Sequence, residues 1–174
     1  GVTSLWTDDP QEIRQVDHVI FPGVGEASSA MQYLQERGLD AFIRNLTQPV
    51  LGICLGLQLF CKHSEENNTN CLGIFDEKVR KFEPGAGLFK VPHMGWNTLE
   101  NLQGTLFEGV AEGESVYFVH SYFAEISIDT IASTEYSIPF SAALARDNFY
   151  AVQFHPEKSG PVGQKILENF LSIK

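Results

Sequence analysis

Two short apolar runs, residues 17–21 and 49–53, each pass through a glycine-bearing junction into a stretch with helical spacing. That alternation restricts the fold more than any other feature of the chain. A short unbroken apolar run is a buried strand, and a strand–helix–strand–helix rhythm implies a parallel sheet with helices on its faces. Pro22-Gly23-Val24-Gly25 is the tight loop after the first run, residues 26–37 form the helix that Gly38 closes, and residues 55–62 form the second helix. Asp9-Pro10-Gln11-Glu12 has the form of an earlier helix start. Asp9 is the cap, Pro10 the first helical residue, and Glu12 stands where it can reach back to the N–H of the cap.

The second half changes style. Residues 79–82, 115–120, 131–136, 140–144 and 149–154 read as strands, separated by turns such as Glu83-Pro84-Gly85 and Arg146-Asp147-Asn148. Antiparallel hairpins are thus added to the parallel core. A last helix over 162–173 carries Val162, Ile166, Phe170 and Ile173 at helical spacing, so one face packs on the sheet. No internal repeat, low-complexity tract or linker divides the 174 residues, which read as a single α/β domain.

Composition narrows the partners. The chain carries 22 acidic against 12 basic residues, a net charge of −10, with no run of Lys or Arg. A nucleic-acid or anionic-membrane binder needs clustered cations, so neither is expected. No apolar stretch reaches the ~20 residues of a membrane span and the first residues lack a secretory layout, so a cytoplasmic address is expected. Cys54, Cys61 and Cys71 are an odd set with no C-x-x-C pair, unlike a secreted disulfide framework.

The string Pro49-Val50-Leu51-Gly52-Ile53-Cys54-Leu55-Gly56-Leu57-Gln58 sets a thiol at a strand-to-helix junction between glycines two positions before and after it. This is the layout of a nucleophile elbow with Cys in place of Ser. The helix that follows points N–H groups and its positive end at Cys54, which favours a thiolate and an oxyanion. A cysteine in apolar surroundings without those glycines reads as inert core.

A nucleophilic thiol needs a base, and five histidines are available. His18 lies in a strand-like run, and His63 ends the second helix, where an imidazolium suits the dipole. His155 differs, because Gln153-Phe154-His155-Pro156-Glu157 sets it just past a strand's carboxyl end with Glu157 two positions on across a stiffening proline. Strand carboxyl ends are where open α/β sheets place their sites, and the carboxylate can orient the imidazole. The bland alternative is a surface loop with a chance His and Glu. Oxyanion donors are the backbone of the Pro22–Gly25 loop and of Leu55. The same loop also fits a weak dinucleotide fingerprint, Gly23-x-Gly25-x-x-Ser28, but no acidic residue ends a strand at the distance a ribose contact requires. Cys61, His63 and Cys71 match no standard zinc spacing, and no metal or cofactor is expected.

Taken together, Gly52–Gln58, Pro22–Gly25 and Phe154-His155-Pro156-Glu157 resemble the class I glutamine amidotransferases. Two further strings, Lys90-Val91-Pro92-His93-Met94-Gly95-Trp96-Asn97 and Tyr117-Phe118-Val119-His120-Ser121-Tyr122, resemble the glutaminase subunits of imidazole glycerol phosphate synthases within that family. The resemblance runs from about residue 8 to the end. It implies a three-layer fold with a mostly parallel central sheet, a Cys54–His155–Glu157 triad, and oxyanion N–H groups from Val24 or Gly25 and from Leu55. It also implies that Gln58 and Glu66, with backbone from Ser121 and Tyr122, hold the amino-acid end of glutamine. Ammonia then passes to a (β/α)8-barrel cyclase, the other half of a heterodimer, which forms imidazole glycerol phosphate and an aminoimidazole ribotide from a phosphoribosyl-bearing aminoimidazole carboxamide. His93, Met94, Trp96 and Asn97 lie near that interface. Members of the family normally open with a strand, a glycine-containing loop and a helix before the point that matches Gly1, so the resemblance implies that this piece is missing here.

Overall fold

The computed structural model describes residues 2–84 and 89–174. Gly85, the last residue of the expected turn at Glu83-Pro84-Gly85, lies outside them. In chain order the first elements are α1 (Pro10–Ile13), β1 (Val19–Gly23), α2 (Ala27–Glu36), α3 (Leu39–Arg44), β2 (Val50–Cys54) and α4 (Leu55–Phe60). Short strands follow, β3 (His63–Ser64), β4 (Thr69–Asn70) and β5 (Lys78–Lys81), then the hairpin strands β6 (His93–Thr98) and β7 (Ser115–His120). The chain closes with β8 (Tyr122–Ala124), β9 (Thr130–Tyr136), β10 (Ile138–Arg146), β11 (Phe149–Val152) and α5 (Gly160–Ser172).

The main sheet runs β1-β2-β11-β10-β8-β5-β3-β4, with β9 also on β10. It is mixed: β1, β2 and β11 are mutually parallel and β3 is parallel to β5, while the other ladders are antiparallel. Parallel pairing needs a helical crossover, and α2, α3 and α4 supply one between β1 and β2 and beyond. From β9 onward the connections are tight turns, such as that at Asp147 and Asn148 between β10 and β11, and a tight turn returns the chain antiparallel. The antiparallel share is therefore larger than the sequence pattern implied.

Three layers result because the central strands alternate between two cores. Val50 and Ala151 point to one side, where Ala27, Met31 and Leu34 of α2, Leu39 and Ile43 of α3, and Leu57 and Phe60 of α4 cover them. Leu51, Ile53 and Val152 point to the other, where they meet Ile166 and Phe170 of α5 and Val116 and Phe118 of β7. Each buried Leu or Phe of this kind contributes about 1.5–3 kcal/mol of burial.

Local differences from the expected elements have local causes. Gly38 ends α2 in the left-handed region (φ 66°), but the chain re-enters a helix at once; α3, which the sequence pattern did not mark, has Asp40 and Arg44 one turn apart and paired at 3.0 Å. The α1 helix is only one turn long. Asp9 caps it by accepting from the Gln11 N–H at 2.8 Å, whereas Glu12 bonds the Thr7 hydroxyl instead of the Asp9 N–H, which Thr7 Oγ1 itself accepts. The α4 helix stops at Phe60, so His63 stands in β3 and bonds Asn68 at 2.9 Å. His18 precedes β1, and its Nε2 bonds the Ile173 carbonyl at 2.8 Å, fastening the C-terminus. Among the described residues no helix is long and apolar enough to cross a membrane.

Candidate active site

Cys54 ends β2 and begins the turn into α4 with φ 55° and ψ −107°, a conformation a non-glycine residue holds only when its surroundings impose it. The flanking glycines show how close those surroundings are. A Cβ on Gly52 would lie 2.7 Å from the Phe60 ring, and one on Gly56 only 2.3 Å from the Phe21 carbonyl oxygen. Both contacts let α4 turn back tightly over β1 and β2. Because the Phe21 carbonyl belongs to a strand and cannot swing aside, Gly56→Ala is expected to cost about 2–4 kcal/mol. Thermal melting checks this, and an unchanged midpoint would contradict the close approach.

The structure carries β1 through Pro22 and Gly23, with Gly23 in register beside Cys54. A Cβ on Gly23 would lie 2.6 Å from the Gly56 nitrogen, so β1 delivers Val24 and Gly25 directly beside the Cys54–Leu55 junction. Val24 is 87% exposed, and Gly25 has φ +107° with nothing near its absent Cβ. The α2 helix beyond is capped by acid. Glu26 accepts from the Ser28 and Ser29 N–H groups, bonds that hold its carboxyl down at about 2, and Glu66 accepts from the Ala27 N–H at 2.8 Å. Two carboxylates thus occupy the helix end that a dinucleotide phosphate would need.

Burial pushes the Cys54 thiol up to about 11, and the neighbouring Glu157 charge adds to this; the Leu55 N–H, the Gln153 amide and Lys158 pull the other way without prevailing. The Leu55 N–H at the helix end favours the anion, as the sequence reading expects, but desolvation of the anion outweighs that one donor. The thiol donates to the Val119 carbonyl at 3.9 Å and accepts from Gln153 Nε2 at 3.7 Å.

His155 is buried just beyond β11. Its Nδ1–H donates to Glu157 Oε1 at 2.8 Å, which leaves Nε2 as the acceptor nitrogen, and Nε2 has no hydrogen-bond partner among the described residues. The loop is stiffly held: the His155 N–H donates to the Tyr117 carbonyl, the Ser159 hydroxyl donates to the His155 carbonyl at 2.7 Å, and Pro156–Lys158 form one 3-10 turn. Cys54 and His155 are not hydrogen-bonded to each other here, although the Glu157 charge is near enough to act on the thiol.

Gln58 is buried on α4, and its Nε2 donates to the Tyr122 carbonyl (3.0 Å) and to Gln153 Oε1 (3.1 Å). The Ser121 carbonyl accepts from the Phe82 N–H. Partial burial, with the nearby Glu66, Glu65 and Glu26 carboxylates, raises the Tyr122 hydroxyl, which places Glu66 and Tyr122 in one neighbourhood. Residues 93–98, for which the sequence carried no strand reading, pair with β7 as a separate two-stranded sheet, His93 opposite His120. Met94 and Trp96 are 62% and 58% exposed on it, whereas His93 faces inward at 3%, stacked between Tyr136 and Phe118. Asn97 donates to the Glu135 carbonyl and to His93 Nε2. Cys61 is buried with its thiol on the Leu57 carbonyl, and Cys71 bonds the Thr69 carbonyl; all three cysteines are free thiols. Sequence reasoning missed the contacts of Gln153, His120 and the Val119 carbonyl. The only signal for Gln153 is its place in the string before His155.

A thiol on a strained strand-to-helix elbow, near a carboxylate-backed imidazole and a glycine loop, is the kind of arrangement that thiol acyl transfer requires. Residues 1–173 match the family model for glutamine amidotransferase class-I, and the chain belongs to the class I glutamine amidotransferases. Within that family it is 56% identical to the imidazole glycerol phosphate synthase subunit HisH of Bacteroides fragilis (strain YCH46) over 173 residues, which cover 99% of this chain and 88% of that one. It is 49% identical to the subunit of the same name from Escherichia coli (strain K12) over 167 residues, 95% and 84% of the two chains. Among solved structures, a putative GMP synthase protein from Thermoplasma acidophilum superposes with a TM-score of 0.67 at 21% identity, covering 95% of this chain and 76% of that one. A glutamine amidotransferase from Thermotoga maritima gives 0.62 at 18% identity, covering 96% and 66%. These two share the fold.

Proposed function

We propose that this chain is the glutaminase subunit of an imidazole glycerol phosphate synthase, hydrolysing glutamine through Cys54, His155 and Glu157. The observation that carries the reading is the buried Nε2 of His155, without a partner among the described residues, backed by Glu157, whose charge reaches the strained Cys54, and held with Cys54 on the same strand β7. A buried imidazole nitrogen without a partner is costly, and a proton-accepting role in the bound complex accounts for it. When glutamine displaces the resting contacts of the thiol, His155 Nε2 takes the proton of Cys54 and the sulfur attacks the side-chain amide carbon. The oxyanion is held by the N–H groups of Leu55 and of Val24 or Gly25. His155 then protonates the departing ammonia, and water cleaves the γ-glutamyl thioester to glutamate. Gln58, Glu66 and the backbone of Ser121 and Tyr122 hold the amino-acid end of glutamine.

The relatives are named as subunits of a synthase, which supports a partner that consumes the ammonia. In this reading the partner is a (β/α)8-barrel cyclase, docked over the exposed Met94 and Trp96 with Asn97 and His93 behind them, in the cytoplasm, with no nucleic acid or membrane involved. The test is His155→Asn in the assembled synthase. Glutamine-dependent synthesis should fall by at least about 10³-fold, while external ammonia supports synthesis at the parent rate. Failure of ammonia to rescue would overturn the assignment of His155 as the base.

A further inference from the structure

We propose that Gln153 is a positioning residue of the glutaminase reaction, its buried carboxamide carrying the hydrogen-bond chain of the β6–β7 hairpin to the Cys54 sulfur. The inference rests on the reading of Cys54 as the nucleophile. Gln153 is fully buried, and its main-chain N–H is fixed to the Ala142 carbonyl at 2.8 Å, so its side chain is anchored on the sheet. A carboxamide can give and accept at once, and here it does both. Oε1 accepts from Gln58 Nε2, and Nε2 donates to Cys54 Sγ.

Gln58 in turn donates to the Tyr122 carbonyl, which also accepts from His120 Nδ1–H at 2.7 Å. With Nδ1 the donor, His120 Nε2 is the acceptor, and it takes the Nδ1–H of His93 at 3.0 Å. Asn97 closes the chain on His93 Nε2 at 3.4 Å and on the Glu135 carbonyl at 3.0 Å. Each ring thus donates from one nitrogen and accepts at the other, so the series fits only with both imidazoles neutral. Burial enforces that state, holding His93 down at about 4 and His120 at about 3. The same hairpin touches the site from above: the β7 carbonyls of Tyr117 and Val119 accept from the His155 N–H and the Cys54 thiol. A hairpin whose outer face shows Met94 and Trp96 is thereby joined at three points to the residues that would do the chemistry.

The expected consequence is chemical as well as mechanical. A donor on sulfur favours the thiolate, and removing it raises the pH at which the thiol ionises. The charged groups acting on Cys54 are Glu157, which opposes ionisation, and Lys158, which favours it; both, and His155, remain in place in the variants below. Gln153→Met keeps the volume and removes both bonds, while Gln153→Glu keeps the acceptor for Gln58 and offers the sulfur no N–H. The readouts are glutamine kinetics of the assembled synthase and the pH profile of iodoacetamide alkylation of Cys54, located by peptide mass mapping. Gln153→Met should move the alkylation midpoint up by about one pH unit and lower kcat about tenfold or more, with KM for glutamine within about threefold. Gln153→Glu, which removes the N–H and also brings a like charge to the sulfur, should move the midpoint further up than Gln153→Met, and melting of each variant separates the effect from loss of packing. An alkylation midpoint and kcat unchanged in a folded variant would overturn the inference while leaving the reading of Cys54 intact. Parent-rate glutamine turnover by Cys54→Ala would overturn both.

Discussion

Cys54→Ala is expected to remove glutamine hydrolysis by at least about 10³-fold, whereas Cys61→Ala and Cys71→Ala retain it within a few fold. Only Cys54 has the positive-φ geometry of the elbow, a Leu55 N–H directed at its sulfur, and the His155–Glu157 pair nearby. Cys61 lies wholly buried against the Leu57 carbonyl, and burial raises its thiol well above the ordinary range, so it rests as an inert core residue. Its loss leaves a small cavity costing about 1–2 kcal/mol, visible in melting but not in turnover. Steady-state glutamate release by the three variants checks the contrast, and equal losses in all three would point to a structural role for the thiols.

The second large effect is expected from the partner. A glutaminase that released ammonia with nowhere to send it would waste glutamine, and the loop proposed to donate to the oxyanion offers a means to keep it idle. Val24 and Gly25 leave β1 beside the elbow, are open to solvent on their outer side, and include a glycine at φ +107°. Rotation of the peptide between them turns an N–H toward or away from the oxyanion at little backbone cost. Loss of one such donor costs about 3–4 kcal/mol of transition-state stabilisation, or about 10²–10³ in rate. The isolated chain should therefore hydrolyse glutamine slowly, and the cyclase with its acceptor ligand should raise kcat by about that factor with a much smaller change in KM. Gly25→Val, which forces a β-branched residue into a conformation suited to glycine, should alter the stimulation more than glutamine binding. Full activity without the partner would contradict this account.

The parts of the molecule legible from sequence are those whose signals are local. An apolar run ending in Gly-x-Cys-x-Gly specifies β2, the turn and α4 together, because each neighbour excludes the alternatives: Gly52 and Gly56 admit the Phe60 ring and the Phe21 carbonyl as no larger residue does. The 162–173 pattern likewise locates α5 and its buried face, Ile166 and Phe170. What escapes is non-local. β3 and β4 are two residues each, too short to show a period, and β8 is three. The strand character of β6 is set by its pairing with β7, and that register is what brings His93 to His120. The contact of Gln153 with Cys54 joins residues 99 apart in the chain, and depends on β11 lying parallel beside β2. The thiol's resting state is hidden for a related reason, since helix direction can be read from the residues but desolvation cannot.

The most direct test of the central claim, that Cys54 is the nucleophile of a glutamine site, is covalent trapping with a chloroketone analogue of glutamine, followed by peptide mapping by mass spectrometry. The account predicts one adduct per chain, on Cys54, protected by glutamine and greatly slowed by His155→Asn. An adduct on Cys61 or Cys71, or labelling of Cys54 that glutamine does not slow, would contradict it.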